Sequence, residues 1–331
     1  MIKKVAILTG GGDCPGLNAV IRAATMTAIN KYGLEVVGIK NGYRGLYLGK
    51  SQMIPLTDDN VENIIGKGGT ILYNSNKDNL FKYPRRSKEG LVRDENGNIV
   101  YDDLSHVAVD NLKKEGIDAL VIVGGDGTLT SGRDYSNMGV NVIGVPKTID
   151  NDLAQTDHTP GFGSAAKFVA TTMQEIARDC AVYKVKAVTI VEIMGRDAGW
   201  LTAAAGLPRL NGSLTADLIY LPEVDFDNEA FLAAVSAELE KKPNVTVAVS
   251  EGIRYADGRY VGEGAQSGAT DIFGHKYLAG TAKQLEMLVK AEIGCKVRSV
   301  ELSLPQRCAA HIASKTDIEE SVRIGKAAAE A

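Results

Sequence analysis

The chain has 331 residues, with 37 basic and 41 acidic side chains for a net charge of −4, and is 44% hydrophobic and 24% charged, which excludes a disordered, collagen-like or coiled-coil protein. At about 150 residues per domain, this length predicts two domains with sizeable cores. Mild acidity without a basic block argues against a nucleic-acid protein, and no apolar run approaches the ~20 residues of a membrane helix.

In chain order, short β-branched runs alternate with helix-length periodic segments. The predicted strands cover 4–9, 35–40, 119–123, 141–145, 187–193, 217–221, 245–250 and 297–303. They are apolar at nearly every position, as strands buried on both faces of a parallel sheet are. Apolar residues at i, i+3, i+4 spacing predict helices over 16–32 (Leu17, Val20, Ile21, Ala24, Ala28), 163–180 (Ala166, Val169, Met173, Ile176, Ala177) and 277–293 (Leu278, Ala282, Leu285, Leu288, Val289). Strands alternating with helices imply crossover units. Two stretches break the rhythm. Residues 82–103 are polar and contain the hairpin-type turn Glu95-Asn96-Gly97-Asn98; residues 254–275 contain Asp257-Gly258 and a Gly-rich run, read as a hairpin followed by a mobile loop. The first β-like run begins at residue 4 with no signal peptide visible, and Cys14, Cys180, Cys295 and Cys308 form no CxxC pair. A cytoplasmic protein with reduced thiols is expected.

Glycine is the unusual residue: 36 against 9 prolines, in clusters. Gly10-Gly11-Gly12-Asp13 follows the first predicted strand and Gly124-Gly125-Asp126-Gly127-Thr128 follows the third. Strand C-termini are where open α/β sheets bind ligands, and glycine there lets backbone N–H groups approach an anion. Either cluster alone could be a tight βα turn; two of them, each with an Asp, favour phosphate binding. Neither is G-x-G-x-x-G, and no P-loop motif occurs. A third cluster, Pro146-Lys147-Thr148-Ile149-Asp150-Asn151-Asp152, follows the fourth strand. It reads either as a capped, solvated loop or as a general base with an orienting or metal-linked partner, with Asp126 and Asp152 both able to attend one Mg²⁺.

Together, GGGDCPGLN at 10–18, GGT at 68–70, GGDGT at 124–128, PKTIDND at 146–152, MGR at 194–196, SEG at 250–252 and QR at 306–307 resemble the 6-phosphofructokinase family, in the same order and across almost the whole chain. GGDGT alone is weak, since NAD kinases and lipid kinases carry it; GGDGT followed by PKTIDND and MGR is specific. The resemblance implies an α/β fold of two domains with mainly parallel sheets flanked by helices in three layers, and an active site in the interdomain cleft. A larger domain, 1–160 plus 307–331, would bind the phosphoryl donor, and a smaller one, 161–306, fructose 6-phosphate. The implied reaction moves a phosphoryl group to the sugar's 1-hydroxyl with Mg²⁺. Asp150 would be the base, flanked by Thr148 and Asp152, with Lys147 beside them. Asp126 would be the metal-linked carboxylate. Met194, Gly195, Arg196 and Glu251 would contact the sugar, Arg307 its phosphate, and Arg298 the same phosphate from a neighbouring subunit. Gly12, Tyr43, Gly125, Gly127 and Thr128 would line the donor site.

Arg196 and Arg307 could instead be structural ion pairs, Glu251 a cap, and Trp200 packing. By the family pattern Gly127 leaves room for ATP where pyrophosphate users tend to carry Asp, whereas Lys147 is typical of pyrophosphate users. ATP is the expected donor and pyrophosphate the alternative. Three positions depart from the pattern. The arginine expected after GGT is Asn76, with Lys77 able to supply a point charge; a subunit-crossing arginine is Ala187, next to Lys186; and a substrate-binding histidine is Leu304. They motivate a second alternative, a catalytically weak sugar-phosphate-binding regulatory subunit. Arg298 would require at least a homodimer, and the resemblance implies a homotetramer. With 24 residues after Arg307, a shortened C-terminal end is expected.

Overall fold

The computed structural model describes residues 2–75, 78–88, 90–263, 278 and 280–331. Two compact units divide the chain. One comprises 1–148 with 315–331, the other the described residues between 149 and 314. The first crossing thus comes before residue 160 and the second after 307. The reason is local: the Phe162 N–H donates to Thr159 O (3.2 Å) and the Ser314 N–H to Ser164 Oγ (3.0 Å), so both connecting segments are fastened to the helix that starts at Phe162.

In the first unit the order is β1 (Lys4–Thr9), α1 (Leu17–Tyr32), β2 (Glu35–Ile39), α2 (Gly42–Leu48), β3 (Met53–Leu56), α3 (Asp58–Val61), four two-residue strands β4 (Tyr83–Pro84), β5 (Arg86–Ser87), β6 (Gly90–Leu91) and β7 (Tyr101–Asp102), α4 (Ser105–Lys114), β8 (Ala119–Gly124), α5 (Asp126–Asn137) and β9 (Val142–Pro146). The main sheet runs β3-β2-β1-β8-β9, parallel except for the β2–β3 pair. Alternate strand residues Ala6, Leu8, Val37, Ile39, Leu120 and Ile122 pack with residues of α2, α4 and α5, as the two-residue period of a strand requires. The turn signal at 95–98 is a hairpin tip: Arg93 bridges to Ile99, and Gly97 takes a left-handed φ of 81°. Because β1 is followed by β2 on one side and by β8 on the other, the chain reverses direction across the sheet between β1 and β8. This is the switch point at which parallel α/β sheets open a crevice.

The second unit runs α6 (Phe162–Ala181), β10 (Ala187–Ile193), α7 (Trp200–Ala204), β11 (Leu218–Tyr220), α8 (Asn228–Lys241), β12 (Asn244–Ser250), α9 (Thr281–Glu292), β13 (Lys296–Glu301) and α10 (Pro305–Cys308). Its sheet, β11-β12-β10-β13, is wholly parallel. Val188, Ile190, Val245, Val247, Val249 and Val297 form a core with Phe231, Val235 and Leu239 of α8 and Ala282, Leu285 and Val289 of α9. On α6 the buried face is Ala165, Phe168, Val169, Met173 and Ala177, so Phe168 takes the place the periodicity assigned to Ala166. Trp200, expected to pack, is 57% exposed; Leu201 and Thr202 beside it take the buried positions of this short helix. The Asp257-Gly258 turn is a hairpin with an Arg254–Tyr260 bridge; the Gly-rich run from 264 to 275 lies outside the described residues. The last helix, α11 (Lys315–Glu330), returns to the first unit and packs on α1 at Gly325, where a Cβ would stand 2.5 Å from Val20 O. No described helix is long and apolar enough to cross a membrane.

Thr128 decides what two of the clustered glycines are for. Its side chain is buried between Gly10 and Gly124. A Cβ on Gly10 would fall 2.7 Å from its Cγ2, and one on Gly124 would overlap it. These two glycines admit the threonine rather than a ligand, which leaves Gly11, Gly12 and Gly125 as the open backbone. Gly124→Ala is expected to destabilise the fold by roughly 1–3 kcal/mol through overpacking. Adding Thr128→Ala should recover little of the loss in urea unfolding, because the Thr128 Cβ itself would stand 2.5 Å from the new methyl.

Candidate functional site

Two sets of predicted residues are assembled, one in each unit. In the first, the parallel pairing of β1 with β8 sets the two glycine loops side by side: the Gly10 N–H donates to Val123 O (3.0 Å). Gly12 is exposed, and Gly125 precedes α5, whose first residue is the exposed Asp126. A Cβ on Gly125 would meet only Lys147 O, at 3.5 Å. Free N–H groups at the start of a helix beside open glycine backbone suit a phosphate.

Lys147 is 4% exposed. Its Nζ donates to Gly12 O and its N–H to Gly124 O (3.0 Å), so it ties the two loops together from below. Thr128 and Tyr43 do not open to solvent. The 5% exposed Tyr43 lies against Tyr135 and donates its hydroxyl to Thr128 O (2.6 Å). Burial pushes its phenol well above the usual range. Both residues support the loop from within. Cys14, fully buried behind the first loop, has its thiol pushed up to about 12 by burial, against the opposing charge of Lys147; it is an inert packing thiol. Gly127 is half-buried in the first turn of α5. Lys77, with Asn76, lies outside the described residues.

In the second unit the ends of β10 and β12 carry the other set. The Glu251 N–H donates to Ile193 O (2.9 Å), Ser250 Oγ to Gly195 O (2.9 Å), and the Gly195 N–H to Glu251 Oε1 (3.4 Å). Gly195 has a φ of 135°, a backbone state that favours glycine. Gly252 has no room for a Cβ against the Arg196 carbonyl, so the MGR and SEG turns are interlocked. From α10, the fully buried Gln306 accepts the Met194 N–H on Oε1 (3.0 Å), which places the neighbouring Arg307 beside the same turn.

The Arg196 and Arg307 side chains are buried at Nε, and neither Nε–H has a hydrogen-bond partner among the described residues; the same is true of Gln306 Nε2 and Arg254 Nε. Burying a donor without a partner costs about 1–3 kcal/mol, a cost that an anionic ligand would remove. Glu251 is pushed up to about 8, first by burial, then by the negative charge of Asp150, against the Gly195 N–H and Arg196. Asp150 therefore lies within electrostatic reach of Glu251, and at neutral pH Glu251 is a protonated carboxyl able to donate a hydrogen bond. Asp152 is exposed and Thr148 half-buried.

Arg298 is not brought to this set. It stands exposed in the middle of β13, an edge strand, paired in register with Thr189. It lines a hollow with Lys296, Tyr183 and Asn244 near the start of β10. Lys186 is exposed, and the cation directly opposite Ala187 in register is Lys296.

Among the described residues no three His, Cys, Asp or Glu side chains cluster as a metal cage. Mg²⁺ needs none, because it binds through one or two carboxylates plus phosphates and water. Asp126, exposed at the glycine loops, fits that donor set.

Sequence reasoning passed over Glu192, the one charged residue in the β10 run Ala187–Ile193. It is 5% exposed, and a lone carboxylate in an otherwise buried strand was a usable signal.

Doubly wound α/β units with glycine loops at a switch point and partnerless arginine donors at strand ends have the build of a protein that handles phosphate esters. The family model described as Phosphofructokinase matches residues 4–331, and the chain belongs to the phosphofructokinase family. It is 51% identical over 261 residues, 78% of its own length and 67% of the relative's, to ATP-dependent 6-phosphofructokinase 2 of Clostridium perfringens. It is 38% identical over 304 residues, 92% and 80% of the two lengths, to a pyrophosphate–fructose 6-phosphate 1-phosphotransferase of Amycolatopsis methanolica. The crystal structure of a pyrophosphate-dependent phosphofructokinase from Nitrosospira multiformis superposes with a TM-score of 0.78 at 26% identity, over 99% of this chain and 76% of that one.

The raised Glu251 sets a direction for stability. An unfolded Glu ionises near its ordinary 4.5, while the folded one holds its proton to about 8. Between these values the folded state binds more protons than the unfolded one, so stability falls as pH rises through the window. Glu251→Gln is expected to make the loss between pH 5 and 8 smaller than in the parent, read by urea unfolding across pH.

Proposed function

We propose that the protein is a 6-phosphofructokinase that transfers the γ-phosphoryl group of ATP to the 1-hydroxyl of fructose 6-phosphate, giving fructose 1,6-bisphosphate. The observation that carries this reading is the acceptor set of the second unit: two arginines with partnerless Nε–H groups, beside a protonated Glu251 within electrostatic reach of Asp150. Arg196 and Arg307 hold the anionic sugar phosphate. Glu251 donates to a sugar hydroxyl. Asp150 takes the proton of the attacking hydroxyl, a role worth about 10²–10⁴-fold in rate. Thr148 and Asp152 flank that base. The glycine loops, with Gly12, Gly125, Gly127 and the N-terminus of α5, hold the donor phosphates, and Lys147, Thr128 and Tyr43 keep the loops in shape. Mg²⁺, carried by the donor and held by Asp126, would neutralise charge on the transferring group; positioning supplies most of the remainder.

ATP as donor rests on Gly127, which puts no carboxylate in the nucleotide's path, and on the likeness to the Clostridium enzyme. Pyrophosphate is the second reading, supported by Lys147 and by relatives named for that donor. Against a purely regulatory subunit stand the retained Asp126, Asp150 and Glu251. Arg298, exposed on an edge strand, serves a neighbouring copy in a homodimer or homotetramer on this reading, and the protein acts in the cytoplasm in glycolysis.

Side-by-side turnover of fructose 6-phosphate with ATP–Mg²⁺ and pyrophosphate–Mg²⁺ is the direct test. ATP should give the faster rate, a faster pyrophosphate rate moves the reading to the alternative, and no turnover with either refutes it. Asp150→Ala should lower kcat at least about 10²-fold with little change in KM, as expected of a group acting in the transition state. Gly127→Asp should raise the KM for ATP at least about tenfold while sparing that for fructose 6-phosphate.

A further inference from the structure

Glu192 has no part in the site as described, yet its placement is costly. A carboxylate near the end of a buried strand gives up its hydration, and an apolar residue of similar size would pack there without that penalty. What it receives in return is the first turn of α9. The Ala282 N–H donates to Glu192 Oε2 (2.8 Å), and the Gly280 and Thr281 N–H groups also act on the carboxylate as hydrogen-bond donors. The same turn makes a second connection, from Thr281 Oγ1 to Glu251 O (3.0 Å). Thr281 is fully buried, so this bond is shielded from water. On the other side, the Leu302 N–H donates to Glu192 O (3.0 Å), anchoring the residue to the segment that leads into α10. The start of α9 is thus held by β10 through one carboxylate and in turn holds the peptide from which Glu251 projects.

We propose that Glu192 is a positioning residue for the acceptor site: by binding the first turn of α9 it fixes, through Thr281, the orientation of Glu251 toward the sugar phosphate. The proposal rests on the function given above for Glu251. A plain helix cap would need only the α9 contact. The link onward to Glu251 O and the electrostatic coupling between the two carboxylates are what a cap does not require. The charged group acting on Glu192 is Glu301 on β13, while Glu251 feels Asp150, Glu192 and Arg196. Burial raises Glu192 to about 7, with its three N–H donors opposing. Near neutral pH it therefore carries part of a negative charge, which resists ionisation of Glu251.

The test uses the full chain with Glu192→Gln and Thr281→Val. Glu192→Gln keeps an oxygen for the α9 N–H groups and removes the charge. It should raise the KM for fructose 6-phosphate about fivefold, as replacing a charged hydrogen-bond acceptor by a neutral one does, and leave kcat within about twofold. The alkaline limb of the KM profile should move to lower pH, because a charge opposing Glu251 ionisation is gone. Thr281→Val removes only the hydroxyl link, and should raise the same KM without moving the limb. A Glu192→Gln protein with a lowered melting temperature but a KM–pH profile superimposable on the parent would overturn the proposal, as would a Thr281→Val protein with unchanged KM. If the parent shows no turnover with either donor, the functional reading has failed separately. The coupling is then read from unfolding: Glu192→Gln should shift the pH window of stability loss assigned to Glu251 downward, and an unmoved window refutes it.

Discussion

A parallel sheet releases all of its strands at one edge, and that constraint organises both units. In the first, β1 and β8 are neighbours whose connections leave in opposite directions across the sheet, so their C-terminal ends run into the two glycine loops. In the second, β10 and β12 end side by side, one residue pair in register after another from Ala187 and Asn244 to Ile193 and Ser250. The MGR and SEG turns therefore emerge together although more than fifty residues separate them in sequence. Chemistry gathered from distant segments needs no special device here; strand order and register bring it together.

The second unit carries buried polar groups at a cost in stability. Glu251 and Glu192 are buried carboxylates whose ordinary ionisation is suppressed mainly by lost hydration, and the arginine Nε–H groups nearby have no described partners. Each carries a desolvation cost. An anionic ligand would satisfy the arginine donors, and a ligand hydroxyl would accept from the protonated Glu251. An environment arranged this way before the ligand arrives needs little reorganisation afterwards. The compensation lies in the packed sheet around it, where Val188, Ile190, Val247 and Val249 are almost wholly buried.

The first unit works by shape. Thr128 fills the space that Gly10 and Gly124 leave, Tyr43 bonds to its carbonyl, and Lys147 fastens Gly12 from beneath. Thr128, Tyr43 and Lys147, which the family resemblance would place at the donor site, are thus turned inward as supports of the two loops. Backbone N–H groups carry no side-chain rotamer entropy to lose on binding an anion. Lys147 illustrates why residue type alone decides little about the donor: its ammonium group is engaged with the protein itself.

How much of this was legible beforehand follows from the range of the interactions. Strands, the long helices and both hairpin turns rest on local periodicity and on residues such as Gly97 and Gly258, so they could be read directly. The motif order identified the family, because GGDGT, PKTIDND and MGR depend on residue identity rather than on contacts. Long-range packing was not legible. That Gly10 and Gly124 face a threonine, that Phe168 rather than Ala166 is buried, that Arg298 stands apart on an edge strand, and that α11 closes onto α1 at Gly325 all depend on partners distant in sequence. Residue identities and local periodicity specify which chemistry is available and which segments form strands and helices. Packing between distant segments settles which groups lose their water and which face each other, and those two conditions set the proton on Glu251 and the task of Glu192.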